Sequence, residues 1–291
     1  MTIVFEASSA NYGESLGNVA SLKKLTRGNG FQYTYISRQA LRYNIVEQLG
    51  ESLAKLSAEG AGDKKVIQFS KDSSIVDYPE IDFFGYMKTV PKVGAVTRSA
   101  KVRLSNAISQ EPFAGDVDFL TNMGLATRIR NDEKDNSINN SIAQAEVHTS
   151  YYCYTVTIDL DQIGVDINEP DVNLDMTERS RRVQKLLQTI QYLYRDIKGR
   201  REDLKPLFVI GGIYDIKNPI FENVVKVEKN KINLASIKDV MSEDIAKNTL
   251  VGIVSDKFLN SDVVKEELGA TSVAQVFDSL KTKVADYYEG D

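Results

Sequence analysis

Two amphipathic stripes, each set between short apolar runs, constrain this chain most. The first follows Ser37, a residue type suited to cap a helix. Leu41, Ile45, Leu49, Leu53 and Leu56 then recur every three or four positions. The second spans 177–198, where Val183, Leu186, Leu187, Ile190, Tyr194 and Ile197 keep the same period. Around them, residues 2–6, 66–70, 97–109, 150–160, 207–212, 223–234 and 249–255 read as strands. A helix is expected near 236–247, and another on Val273, Val276, Phe277, Leu280 and Val284.

The order runs β-α-β, passes through insertions, then gives β-α-β-β. It predicts an α+β fold of ferredoxin-like type, with helices on one face of an antiparallel sheet. Residues 7–33 are small, polar and Gly-bearing, more loop than element. Residues 71–96 mix acids, aromatics, Pro and Gly without a period and read as an insertion. Residues 114–147 are Asn/Asp/Ser-rich. Met123, Leu125 and Ile129 are too sparse there for a core, so an extended excursion is expected.

The 291 residues carry a net charge of -5, and its distribution matters more than its sum. Residues 1–45 hold five Lys/Arg against two acids, 91–110 four against none, and 176–205 nine against four. Residues 115–175 hold three against twelve. Three basic segments far apart in sequence suit one anion-binding face, or three solvated surfaces. Arg38 and Arg42 stand one turn apart at the start of the first helix. Cations there gain nothing from the helix dipole and make sense against a bound anion. Arginine grips phosphate oxygens two at a time, tyrosine offers a flat face, and Gly28 and Gly30 permit close backbone approach. These are parts of a groove for single-stranded nucleic acid.

Enzyme signatures are missing. No G-x-G-x-x-G, G-x-x-x-x-G-K-[ST] or G-x-S-x-G occurs, and His148 is the one histidine for any triad. A calcium loop starting at Asp159 fails, because Ile163 and Pro170 fall on ligand places. Cys153 is alone, so an intrachain disulfide is excluded and a reducing cytoplasm fits. One Cys and one His cannot form a usual zinc site, so no metal and no cofactor is expected. No run of 18 apolar residues suggests a membrane span, and the N-terminus does not read as a secretory signal. The acidic connector with Asp159, Asp161, Asp166, Glu169, Asp171 and Asp175 reads as a solvated, partner-facing loop. A divalent-metal site there stays open as the alternative.

The stretches NYGESLGNVASLKKL, QYTYISRQALRYNI, TRSAKVRLSNAI, LYRDIKGRRE and PLFVIGGIYDIKNP resemble the seventh CRISPR-associated protein family, in its DevR-like, type I-B branch. The resemblance spans roughly residues 11–225. It implies the repeated backbone subunit of Cascade, a cytoplasmic surveillance complex for antiviral defence or RNA-guided targeting. Copies would line up head to tail on a CRISPR RNA, beside other Cascade subunits and without a membrane, and present the guide to a target DNA strand. It also implies a ferredoxin-like (RRM-like) palm, fingers at 60–92 and a thumb at 114–147 within one domain, 1–291. The residues implied to contact RNA are Lys23, Lys24, Arg27, Tyr33, Tyr35, Ser37, Arg38, Gln39 and Arg42, extended by Arg98, Lys101 and Arg103. Arg195, Arg200 and Arg201 correspond less closely. No catalytic residue is implied. A metal-dependent ribonuclease and a transcriptional regulator remain as alternatives.

Overall fold

The computed structural model describes residues 1–8, 10–59, 65–90 and 93–290. An eight-stranded sheet organises them. Its strands are β1 (Thr2–Ala7), β2 (Lys24–Thr26), β3 (Gln32–Ile36), β4 (Val102–Leu104), β5 (Ala107–Ser109), β6 (Ser150–Ile158), β7 (Phe208–Gly212) and β8 (Thr249–Ile253). They lie in the order β8-β7-β1-β6-β5-β3-β2, with β4 also on β6. Each of these pairings is antiparallel. Helices α1 (Arg38–Leu49), α2 (Met176–Gln191) and α3 (Val273–Glu289) complete the frame. Along the chain, β1, α1, β5, β6, α2 and β7 follow as β-α-β-β-α-β, and the four central strands sit as β7-β1-β6-β5.

The side-chain alternation of a strand separates two cores. On one face, Ile3 opposes Tyr154 and Val209, and Phe5 opposes Tyr152. Leu41 and Ile45 of α1, Val183 and Leu186 of α2, and Phe277 and Leu280 of α3 cover them. On the other face, Val4, Cys153, Phe208, Ile210 and Val251 pack under Phe221, Val225, Ile237, Phe258 and Val264. Each fully buried Leu, Ile or Phe contributes about 1.5–3 kcal/mol of transfer free energy. That second cover comes from residues 220–268, so it blankets β1, β7 and β8 and leaves the β3–β5 side more open.

Several elements differ from the sequence reading. Helix α1 stops at Leu49 because Gly50 takes the left-handed conformation (φ 63°). Leu53 and Leu56, expected in its stripe, are exposed beyond it. The second helix ends at Gln191, since Tyr194–Ile197 pairs with Arg200–Asp203 across Lys198 and Gly199, both at positive φ. The strand expected over 223–234 folds back at Lys229 and Asn230 into a short hairpin, Val227–Glu228 against Lys231–Ile232. The strand expected over 97–109 is broken into three pieces, one of them Gly94–Arg98. The expected loop at 7–33 holds Tyr12–Leu16, Val19–Leu22, β2 and the start of β3.

The insertion holds the short helix Pro79–Phe84 and most of the hairpin Tyr86–Val90 with Gly94–Arg98, and the strand pair Leu56–Glu59 with Val66–Phe69 precedes it. A small core of Ala54, Ile75, Ile81 and Tyr86 serves it. Residues 60–64 and 91–92 of the expected finger lie outside the described residues. The 114–147 excursion is a hairpin, Val117–Thr121 with Ile142–Glu146, carrying the helix Met123–Glu133. Met123, Leu125 and Ile129 are exposed there, and Ala126 is buried.

Candidate nucleic-acid interface

On the less covered face, sheet register brings distant residues together. Tyr35 opposes Ile108, Ile108 opposes Cys153, and Arg103 opposes Thr157. All these positions point to the face of Cys153, away from the α1–α3 core. With the segment 213–226, Ile108, Cys153, Arg103 and Thr157 border a cleft of about 1250 Å³, which also reaches Val183, Leu187, Leu280 and Val284 of the other face. Arg27, Arg38 and Arg103 all line it, together with Asn106, Thr155, Asn218 and Lys226.

Arg27 closes the β2–β3 hairpin, and its guanidinium lies 4.7 Å over the ring of Tyr33. Arg38 opens α1 directly after Ser37, whose hydroxyl accepts from the Ala40 N–H at 3.3 Å and caps the helix. The Arg38 N–H is held by Asn106 Oδ1 at 2.8 Å. Both side chains are exposed, and among the described residues no carboxylate pairs with either. Arg103 differs, because Asp159 Oδ2 stands 2.8 Å from its Nη1 while half of its surface stays open. Asp161 is held likewise by Lys217 at 2.7 Å. Two unpaired guanidinium groups, a third partly engaged, and Lys226 therefore line one cavity.

The family model described as "CRISPR-associated negative auto-regulator DevR/Csa2" matches residues 1–236. The chain belongs to that family. The fold is similar to a chain of a "CRISPR RNA-guided surveillance complex" at 14% identity, covering 97% of this chain and 99% of that one, with a TM-score of 0.55. A chain of a "CRISPR RNA-guided surveillance complex, pre-nicking" matches at 12% identity, covering 98% of this chain and all of that one, with a TM-score of 0.53. No curated protein matches.

Within this CRISPR-associated frame, several expected contact residues sit away from the cleft. Arg98 is a correction. It is buried with 4% exposure, bound to Asp82 Oδ1 at 2.8 Å and to the Gln162 carbonyl, with Asp166 at 3.9 Å. Its charge holds the insertion on the frame, so it is not open to a ligand. Lys24 pairs with Thr34 across the hairpin and so points to the opposite face, where Glu146 binds it at 2.7 Å over the Phe113 ring. Arg42 lies against the Phe84 ring at 5.0 Å and near Glu80 at 3.9 Å. Burial lowers its pKa below the ordinary arginine value. Arg42 therefore stays one turn above Arg38 without sharing its cavity.

Lys101 is half-buried beside Ser99, and burial, then repulsion from Arg98 and Arg103, lowers its pKa. Tyr33 is buried, and its hydroxyl accepts from Asn29. Tyr35 is half-buried, Gln39 is exposed on α1, and the Lys23 stem rests near Gly13. None of these five lines the cleft. Lys226 was missed, because its neighbourhood reads as a plain alternating strand.

The acidic connector is only in part the solvated loop expected: Asp161, Asp171 and Asp175 are exposed, whereas Asp159 and Asp166 are buried. Asp159 and Asp161 hold Arg103 and Lys217, Asp166 accepts from Tyr86 at 2.8 Å, Glu169 binds Lys88 at 2.7 Å, and Asp175 caps α2. Among the described residues no three His, Cys, Asp or Glu gather as a metal site. Burial pushes the Cys153 thiol pKa up to about 12, so it is no nucleophile at neutral pH. Among the described residues no helix is long and apolar enough to cross a membrane.

Proposed function

We propose that this chain is the RNA-binding backbone subunit of a type I Cascade complex, of the I-B branch, and that it does no bond cleavage itself. The β-α-β-β-α-β frame serves as a ferredoxin-like palm, 60–92 as fingers and 114–147 as a thumb. Family membership and the similarity to chains of RNA-guided complexes support this reading. The observation that carries it is the shared cleft of Arg27, Arg38 and Arg103.

Guanidinium groups on a fixed hairpin and a capped helix start neutralise phosphates and say nothing to bases. Bases left unread by protein stay available to pair with a target DNA strand, which then supplies sequence specificity. Copies stack head to tail along the guide through a heterologous contact that propagates instead of closing. Protein purified from cells carrying its CRISPR array is expected to bring down short RNAs of one length. A preparation free of RNA, together with no retention of added guide, contradicts the proposal. The regulator reading keeps one support, the family's description as a negative auto-regulator. Retention of promoter duplex by the isolated protein is its test.

A further inference from the structure

The tip of the β2–β3 hairpin holds one aromatic side chain that phosphate binding leaves unused. The hairpin register pairs Lys24 with Thr34, Leu25 with Tyr33 and Thr26 with Gln32. The Arg27 N–H donates to the Phe31 carbonyl at 3.1 Å, which extends the pairing by one step. Arg27 and Phe31 are thus cross-strand neighbours on the face of Leu25 and Tyr33. That is also the face of Tyr35 and Ile108, and Ile108 lines the cleft.

Phe31 is 58% exposed. A lone exposed Phe is ordinary. This one stands opposite an unpaired guanidinium, on a tip whose backbone is fixed. The Gly30 N–H donates to the Arg27 carbonyl at 2.9 Å, with Gly30 at φ 80°. The Phe31 N–H donates to Asn29 Oδ1 at 3.1 Å, and Asn29 Nδ2 donates to the Tyr33 hydroxyl at 2.8 Å. Arg27 is itself steadied on the Tyr33 ring. A ring presented this way loses little conformational freedom when a flat partner covers it.

We infer that Phe31 is a base-stacking platform: one nucleobase of the bound strand lies on its ring while Arg27 holds the adjoining phosphate. This rests on the RNA-binding reading and adds a contact of different chemistry to it. Every base has a π-face, so the platform tolerates any sequence. An uncharged ring releases no counterions, so it adds affinity without adding salt dependence.

Fluorescence anisotropy on a single-stranded RNA too short for two subunits, carrying 2-aminopurine, tests this. Wild type is expected to quench the 2-aminopurine, and Phe31→Ala to bind about tenfold more weakly, with an unchanged salt slope and without that quenching. Phe31→Tyr is expected to keep both affinity and quenching. Wild-type affinity and quenching in Phe31→Ala overturn the platform while leaving RNA binding intact. A Phe31→Ala defect seen only on long RNA assigns the ring to a neighbouring subunit, which also overturns it. Failure of the wild type to bind at low salt removes the RNA reading, and the platform with it.

Discussion

Two basic regions of this molecule look alike in sequence and behave differently in space. At the β2–β3 hairpin and the start of α1, Arg27 and Arg38 point into a cleft with no carboxylate partner among the described residues. On α2, the basic groups are consumed internally. Arg182 binds Glu178, Asp82 and the carbonyls of Ile75 and Val76. Arg181 and Lys185 share Glu51, and Arg179 holds the Leu174 carbonyl and Asn173. A cation whose charge is already met by the fold has little left for a ligand. The difference teaches that a basic segment marks a binding face where its own chain fails to neutralise it.

The comparison breaks most visibly at Asp82. This carboxylate is fully buried between Arg98 and Arg182 and accepts from the Gly164 N–H. Burial outweighs that hydrogen bond and both guanidinium groups, and pushes its pKa up. Asp82→Ala removes the close carboxylate of buried Arg98 and leaves buried Arg182 with Glu178 alone, and is expected to cost about 3–5 kcal/mol of stability in denaturant unfolding. A loss under about 1 kcal/mol would show that the network does not clamp the insertion to the frame.

In the other region, Arg38→Ala is expected to leave stability within about 0.5 kcal/mol of wild type, since its side chain is neither buried nor ion-paired, and Arg27→Ala to cost at most about 0.5–1 kcal/mol through its contact with the Tyr33 ring. Thermal melting of the two variants checks this. Arg42 falls between the regions. Its ring contact with Phe84 predicts a loss of about 0.5–1 kcal/mol in Arg42→Ala, with the RNA salt slope unchanged.

A further effect concerns pH. Hydrogen bonds from Arg181 and then Arg182, against some burial, lower the Glu178 pKa from 4.5 to about 2. A depressed carboxylate stabilises the fold above its unfolded pKa and loses that contribution as pH falls toward 2. The stability difference between wild type and Glu178→Gln should therefore be present at pH 7 and shrink below about pH 4.5. A difference that is constant over this range would show that the charge is not what Arg181 and Arg182 recognise.

The start of α1 was legible, because Ser37 and the Leu41–Ile45–Leu49 stripe carry local physics: a cap and a period. Its end was marked by Gly50, but leucines continuing the period masked the signal. Lys198-Gly199 likewise marked a hairpin turn inside what read as helix, where Tyr194 and Ile197, three apart, continue the helical spacing. The cleft was half legible. Arg27, Arg38 and Arg103 could be chosen as basic and well placed, whereas Arg98 and Lys24 could not be excluded. Arg98 meets Asp82 across 16 positions and Arg182 meets the same carboxylate across 100. Lys24 meets Glu146 across 122. Which carboxylate neutralises which cation is decided by sheet register and packing, and neither is a local property of the chain.

The salt dependence of affinity for a single-stranded RNA tests the central difference most directly, measured for wild type, the pair Arg27→Ala/Arg38→Ala and the pair Arg181→Ala/Lys185→Ala. Every phosphate that is no longer neutralised should flatten the slope by about 0.7, so the first pair should lower it by about 1.4 and the second should leave it unchanged. Equal slopes for wild type and the first pair, or a flatter slope only in the second, would contradict the account.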